Sequence, residues 1–459
     1  MSSKNNSSKL GSEPIGKLLR DLSIPAMIGM FVMALYNVID VIFISYGVGI
    51  DAVAGLTICV PIDDDHDAVS AAVGIGGASV ISRRLGENRE NEANRIFGTV
   101  LALILIISVG GFIVAFFFLE DLLLLFGATP DILPHAYDYM FPILLGTVFF
   151  AFTFATNNII RSEGNARFAM MTMIIPAVLN IILDPIFIFA LDMGVFGAGL
   201  ATVVAQGSIS IVILRYYMKG NSSLRVNWSD VTLKWSLVKE VLSVGLPAFV
   251  QQASGSLMMI AINTMLIQYG TDMYVAVFGI IQRIMMFTVM PMIGVMQGMM
   301  PIVGYNYGAK QYERMRQTIW LTLKVVILCS IGVVFIMMVF PSLSMRIFTN
   351  DPEVIDAGAT AMRIMFAGFF LAGVQIVAGG LYQALGRPIP ALILSLSRQI
   401  LFLIPLVLIL PQYFGIVGVF MAFPIADFFS FIFSSYLLYR DRDTTLVRGK
   451  DEDNQLEVE

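Results

Sequence analysis

Residues 82–95 read SRRLGENRENEANR, and residues 304–317, 222 positions later, read GYNYGAKQYERMRQ. Each is a polar, basic interruption between long apolar runs, with Gly86 matched to Gly308. Working outward, the same spacing pairs SIPA at Ser23 with GLPA at Gly245 and SEGNAR at Ser162 with ALGRPI at Ala384; Gly47 with Gly270, and GVFG at Gly194 with GIVG at Gly415, fall within a residue of it. One register held over so many segments is the signature of a duplicated unit. Each half carries six apolar segments. In the first they lie near 22–46, 52–82, 95–118, 136–161, 167–190 and 194–217, and in the second near 237–269, 274–305, 316–341, 356–385, 389–411 and 415–439. An even number of spans returns the chain to the side where it began. The halves therefore enter a bilayer in the same sense, related by an axis along its normal, which is a transporter architecture with a cavity between two bundles.

Composition gives the same class. The 459 residues are 57% hydrophobic and 13% charged, with mean hydropathy +0.82, against about 45–50% apolar and 25% charged in soluble domains. A soluble enzyme is excluded. At about 20 apolar residues per crossing the chain holds about twelve transmembrane helices, an all-α membrane protein of two parallel six-helix repeats. Net charge is −5 without a long basic run, so nucleic acid is not the partner. Cys59 and Cys329 each sit in an apolar segment and read as buried thiols.

The expected organisation is a flexible cytoplasmic N-terminus over 1–15, a first lobe over 16–218, a linker over 219–236, a second lobe over 237–440 and a polar cytoplasmic tail over 441–459. Basic residues set the orientation. Arg83, Arg84, Arg89 and Arg95 follow the second segment, Arg161 and Arg167 the fourth, Lys310, Arg314 and Arg316 the eighth, and Arg387 the tenth. Those turns are assigned to the cytoplasm, together with both termini, in a multi-pass protein of the cell membrane.

The GIGGASVISRRLGE stretch at Gly74–Glu87, the repeated halves, and the RSEGNARFAMMT stretch at Arg161–Thr172 followed by Asn180 to Asp184 resemble the multidrug and toxic compound extrusion (MATE) family, in its DinF-like branch. The resemblance covers nearly the whole chain. It implies V-shaped six-helix lobes and a secondary active exporter of lipophilic or cationic small molecules. Such an exporter antiports Na+ or H+ by alternating access, needs no other cofactor, is not an enzyme and acts as a monomer among membrane lipids.

Ionised groups at mid-bilayer cost about 2.5–3.5 kcal/mol on insertion scales and mark working sites. Asp40, in ALYNVIDVIFI, and Asp184, in AVLNIILDPIF, are the clearest such groups in the first half. Asn180 stands one helical turn before Asp184, so the two offer a carboxamide and a carboxylate to a hard cation. Thr202 adds a hydroxyl, and the resemblance implies a cation-coupling set of Asp40, Asn180, Asp184 and Thr202. Tyr36 and Asn37 stand near Asp40 as possible support, and the resemblance implies that the first helix kinks at Pro25.

The second half has Asn263 where the first has Asp40, and Asp427 as its internal acid, with no partner readable for it. Eleven of the 28 methionines fall between Met258 and Met300. A flexible, polarisable wall of this kind could re-pack around varied ligands, although methionine also serves as ordinary filler. Gln252, Met258, Arg283, Met286 and Met290 are the candidates for a substrate cavity.

One stretch departs from the pattern. Asp63, Asp64, Asp65, His66 and Asp67 interrupt the second apolar segment, where the other half reads FTVMP. Three readings stand: a metal or proton site built on Asp63, His66 and Asp67, a replacement of apolar residues, or a wetted stretch of an aqueous cavity. The rival functions are a lipid-linked oligosaccharide flippase of the same exporter group and, using the acidic run, a membrane-embedded metal-dependent hydrolase.

Overall fold

The computed structural model describes residues 4–220, 222–225 and 230–441, apart from the side chains of residues 4–6, 50, 60–67 and 272. Long runs of apolar residues leave helix as the way to satisfy backbone groups in hydrocarbon. The described residues are accordingly helical almost throughout. A short helix, α1 (Lys4–Ser12), precedes the first half, which is α2 (Ile15–Gly47), α3 (Ile50–Gly86), α4 (Glu90–Leu125), α5 (Leu133–Ser162), α6 (Ala166–Pro185) with a π-helical turn at Ile186–Ala190, and α7 (Gly194–Met218). The second half is α8 (Trp235–Tyr269), α9 (Asp272–Gly308), α10 (Tyr312–Val339), α11 (Pro341–Arg346), α12 (Pro352–Phe366) and α13 (Phe369–Ala384). It continues through α14 (Pro388–Leu396), a π-helical turn at Ser397–Leu403, α15 (Ile404–Ile409), α16 (Pro411–Phe414) and α17 (Ile416–Arg440).

Among the described residues ten helices are long and apolar enough to cross a bilayer, and α12 with α13, bent by 51°, makes one more broken span. The exposed faces are themselves apolar. Ile106, Val114, Phe117 and Phe118 on α4 are 52%, 59%, 73% and 55% exposed, a surface suited to lipid rather than water.

The duplication read from sequence recurs in the backbone. The turn after α3 ends with Asn88 at φ 59°, and the turn after α9 with Lys310 at φ 57°. In the first, Arg89 N–H donates to the Arg84 carbonyl at 2.9 Å, and in the second Gln311 N–H donates to the Asn306 carbonyl at 2.8 Å. These six-to-one bonds are the Schellman closure that satisfies the last helical carbonyls. The turns after α5 and α13 repeat it with Gly164 and Gly386 at φ 84° and 67°. Glycine suits that left-handed position because it has no Cβ to clash.

The chain divides into two compact units, the first comprising Met1–Ser12 and Ile24–Phe249 and the second Glu13–Ser23 and Val250–Glu459. The membership of α2 changes just before Pro25, and that of α8 two residues after Pro247. Both helices run unbroken through these prolines. Within unit 1, α8 lies so close to α3 that a Cβ on Gly245 would meet the Ala72 carbonyl. Within unit 2, a Cβ on Gly298 of α9 would meet Ser23 of α2. Small residues here let backbones approach, as at helix contacts in membranes generally.

Within the polar N-terminal stretch, Lys4–Ser12 is helical and its Leu10 is fully buried. Backbone helix continues through residues 60–67, but the side chains of Asp63, His66 and Asp67 lie outside the described residues, and with them the basis of the hydrolase alternative.

Candidate functional site

The site in unit 1 joins α2, α6 and α7. Asp40 sits on α2 with 6% exposure, although Val38, Val41 and Ile42 beside it are exposed. Asp184, fully buried, is the penultimate residue of α6, and Asn180 and Thr202 are buried as well. Asn180 Nδ2 donates to Thr202 Oγ1 at 2.9 Å, and that hydroxyl donates to the Ala198 carbonyl at 3.0 Å. Asp40 and Asp184 are near enough for their carboxyl groups to influence one another. A direct hydrogen bond between them requires one to carry a proton. As carboxylates, Asp40 Oδ1 and both Asp184 oxygens are buried without a donor, and so is Asn180 Oδ1.

Local sequence explains the placement. Asn165 caps α6 by accepting from Phe168 N–H at 3.3 Å, which fixes where the helix starts and so the face that carries Asn180 and Asp184. Pro185 has no N–H to give the Ile181 carbonyl one turn earlier, and the helix passes into the π-helical turn at Ile186–Ala190. Single π turns often occur at functional positions. Among the described residues no three His, Cys, Asp or Glu side chains gather as for a transition metal. The donors here are carboxylate, carboxamide and hydroxyl oxygens, which suit a hard cation or a shared proton.

The structure brings Asp40, Asn180, Asp184 and Thr202 together. Tyr36 is half-buried and Asn37 is exposed. Of the residues considered for a substrate cavity, Met258 and Met290 are buried, and Gln252, Arg283 and Met286 are exposed.

Two charged groups stand out that sequence reasoning missed. Arg398 Nε donates to Asp427 Oδ1 at 2.7 Å in unit 2, with side-chain exposures of 24% and 2%. Asp427 was visible in the sequence but its partner was not; the signal was an arginine inside the apolar run SLSRQILFL. Glu163, 1% exposed in the turn between α5 and α6, accepts from Ser222 Oγ at 2.6 Å and Ser223 N–H at 2.8 Å, holding the segment after α7 against that turn. Burial raises its carboxyl to about 7, with the bonds from Ser222, Ser223 and Leu224 pulling the other way. Its sequence neighbours Arg161 and Arg167 had drawn attention to the basic character of the turn instead.

A duplicated polytopic helical fold with buried acids within its spans defines a membrane transporter of two six-helix halves. The MatE family profile matches residues 25–186 and again 247–409, once in each half, and the chain belongs to the MATE family, with a DinF-like character. It is 25% identical over 450 residues to the multidrug export protein MepA of Staphylococcus haemolyticus (strain JCSC1435), covering 97% of each chain. Among solved structures it is similar to the MATE multidrug transporter DinF-BH, captured in complex with a small molecule, at 63% identity and TM-score 0.89, over 95% of this chain and 98% of that one. It is also similar to an outward-facing multidrug resistance MATE family transporter of the MOP superfamily, at 28% identity and TM-score 0.91, over 97% of this chain and all of that one.

Proposed function

We propose that this protein exports lipophilic or cationic organic compounds across the cell membrane by alternating access, exchanging each for Na+ or H+ bound between Asp40 and Asp184. The observation that carries this reading is the cluster of buried oxygens without donors on Asp40, Asp184 and Asn180. Buried polar groups are almost always satisfied. Two carboxylates side by side in a low-dielectric interior repel, and a proton or Na+ between them relieves the repulsion.

In this scheme Asp40 and Asp184 hold the cation, and Asn180 supplies a neutral oxygen while its amide nitrogen stays on Thr202. Arrival and departure of the cation change how strongly α2 is held to α6, and a ligand shifts a conformational equilibrium only through such a difference. Pro25 is where α2 lacks one backbone bond and can bend at least cost. The methionine-rich α8 and α9 offer a deformable apolar surface to substrates of different shape. The set of oxygens lies wholly within unit 1, which supports a monomer as the working unit. The basic turns after α3, α5, α9 and α13 support an orientation with both termini in the cytoplasm.

The test loads proteoliposomes with a fluorescent, lipophilic organic cation and imposes a Na+ or a pH gradient. The chain should move dye with one of the two gradients, and Asp184→Asn should do so far more slowly. Equal gradient-driven movement by both proteins would remove Asp184 from the mechanism.

A further inference from the structure

The two halves repeat the same pair of helices, and in each half that pair carries a buried polar contact. In unit 1, Asn180 of α6 bonds Thr202 of α7, beside two acids that lack a fixed cation. In unit 2 the corresponding helices are the α14 to α15 span and α17, joined by Arg398 and Asp427 at 2.7 Å. Arg398 lies within the π-helical turn Ser397–Leu403. A π turn inserts a residue and rotates the following side chains around the helix. The first half also has its π turn on this helix, at Ile186–Ala190.

The helices that carry the pair hold further oxygens buried without partners. Asp427, Ser430 and Ser434 stand at helical spacing on one face of α17, and the hydroxyls of both serines are buried without partners. Gln399 Oε1, beside Arg398 in sequence, and Gln375 Oε1 are buried without partners too. Gln375 Nε2 donates to the Leu394 carbonyl at 3.0 Å, which also accepts from Ser397 Oγ at 2.9 Å, so α13 reaches the start of the π turn. A structural ion pair in hydrocarbon would be expected to have its neighbours either apolar or satisfied. A carboxylate with a buried, unpartnered hydroxyl one turn along its own helix is instead oxygen-donor chemistry of the kind a hard cation takes.

We propose that unit 2 contains a second cation site, centred on Asp427 and occupied by the chain's own Arg398. The guanidinium is the tethered counterpart of the exchangeable cation in unit 1. It keeps Asp427 neutralised through the transport cycle and confines ion exchange to the first half. Arg398 thus sets how many ions are exchanged per substrate. Removing its charge turns a filled site into one that takes a cation from solution.

The experiment counts cations released or taken up per purified chain, with radioactive Na+ for sodium and a pH-sensitive dye for protons. It compares the parent, Arg398→Met, and Arg398→Met combined with Asp427→Asn. The first variant should exchange one more cation per chain than the parent, and the double variant the same number as the parent. Because the increment is read against the parent, a parent that exchanges none would refute the coupling role of Asp40 and Asp184 without touching this result. An Arg398→Met protein with the parent's count would overturn the proposal. If Arg398→Met does not fold, Arg398→Ala is purified with methylguanidinium, which should restore its melting temperature toward the parent's. No such recovery, or equal recovery when Asp427→Asn is added, would also overturn it.

Discussion

The acids at the heart of unit 1 and unit 2 are treated in opposite ways. Asp40 and Asp184 face each other with no basic side chain paired to them among the described residues, and three of their four oxygens have no donor. Asp427, just as buried, has Arg398 on it at 2.7 Å. The halves share a backbone plan down to the left-handed residues Asn88 and Lys310, or Gly164 and Gly386, in matching turns. The difference is therefore one of side chains on a common frame. An intramembrane carboxylate needs a counter-charge, and whether that charge is tethered or borrowed decides whether the site can cycle.

The contrast can be broken most sharply by Asp184→Asn or Asp40→Asn. Each should lower gradient-driven dye export by about 5- to 150-fold, the span of ordinary coupling free energies, as measured by initial rates in proteoliposomes. A mutant that transports as the parent does would dissolve the contrast from the first-half side. On the second-half side, Asp427→Asn strands a guanidinium and should destabilise the protein by about 3–5 kcal/mol. Replacing both members, as Asp427→Leu with Arg398→Met, should recover most of that loss in a denaturation titration. A double variant no better than the single one would show that the pair is not an isolated unit.

Glu163 tests a site outside the spans. Its carboxyl is raised to about 7 in the fold from an ordinary value of 4.5, so the folded state favours the proton. This contribution is complete below the unfolded value and disappears as pH rises through about 7. Melting of the parent relative to Glu163→Gln should thus decline between those two pH values and level off above. The reverse slope would mean that the bonds from Ser222 and Ser223 outweigh burial. The smallest effect belongs to Thr202→Val, which removes one interhelical bond worth about 0.6 kcal/mol on average. Its melting shift should be slight even where ion dependence changes.

Much of the fold was legible before any coordinates. Long apolar runs marked the twelve segments, and the register near 222 foretold the double match of the MatE profile at 25–186 and 247–409. Apolarity and repetition are properties of the chain itself. The cost of charge in hydrocarbon pointed to Asp40, Asp184 and Asp427, and the MATE resemblance added Asn180 and Thr202. What sequence could not supply was pairing across helices. Arg398 and Asp427 are 29 residues apart, and their meeting depends on how a π turn aims a side chain. Glu163 looked like one charge in a basic turn until Ser222 and Ser223, about 60 residues on, were found against it. The helix at Lys4–Ser12 was missed because its composition is polar, and tertiary packing of Leu10 overrides that local signal.

The most direct measurement of the central claim records dye efflux and cation influx together in one proteoliposome preparation, for the parent and for Asp40→Asn combined with Asp184→Asn. In the parent the two fluxes should run in a fixed ratio, and each should stop when the other is blocked. In the double variant the cation flux should vanish and the dye should no longer be driven against its gradient. A double variant that still drives dye uphill with the parent's ratio of ions would place the coupling site elsewhere and contradict the account.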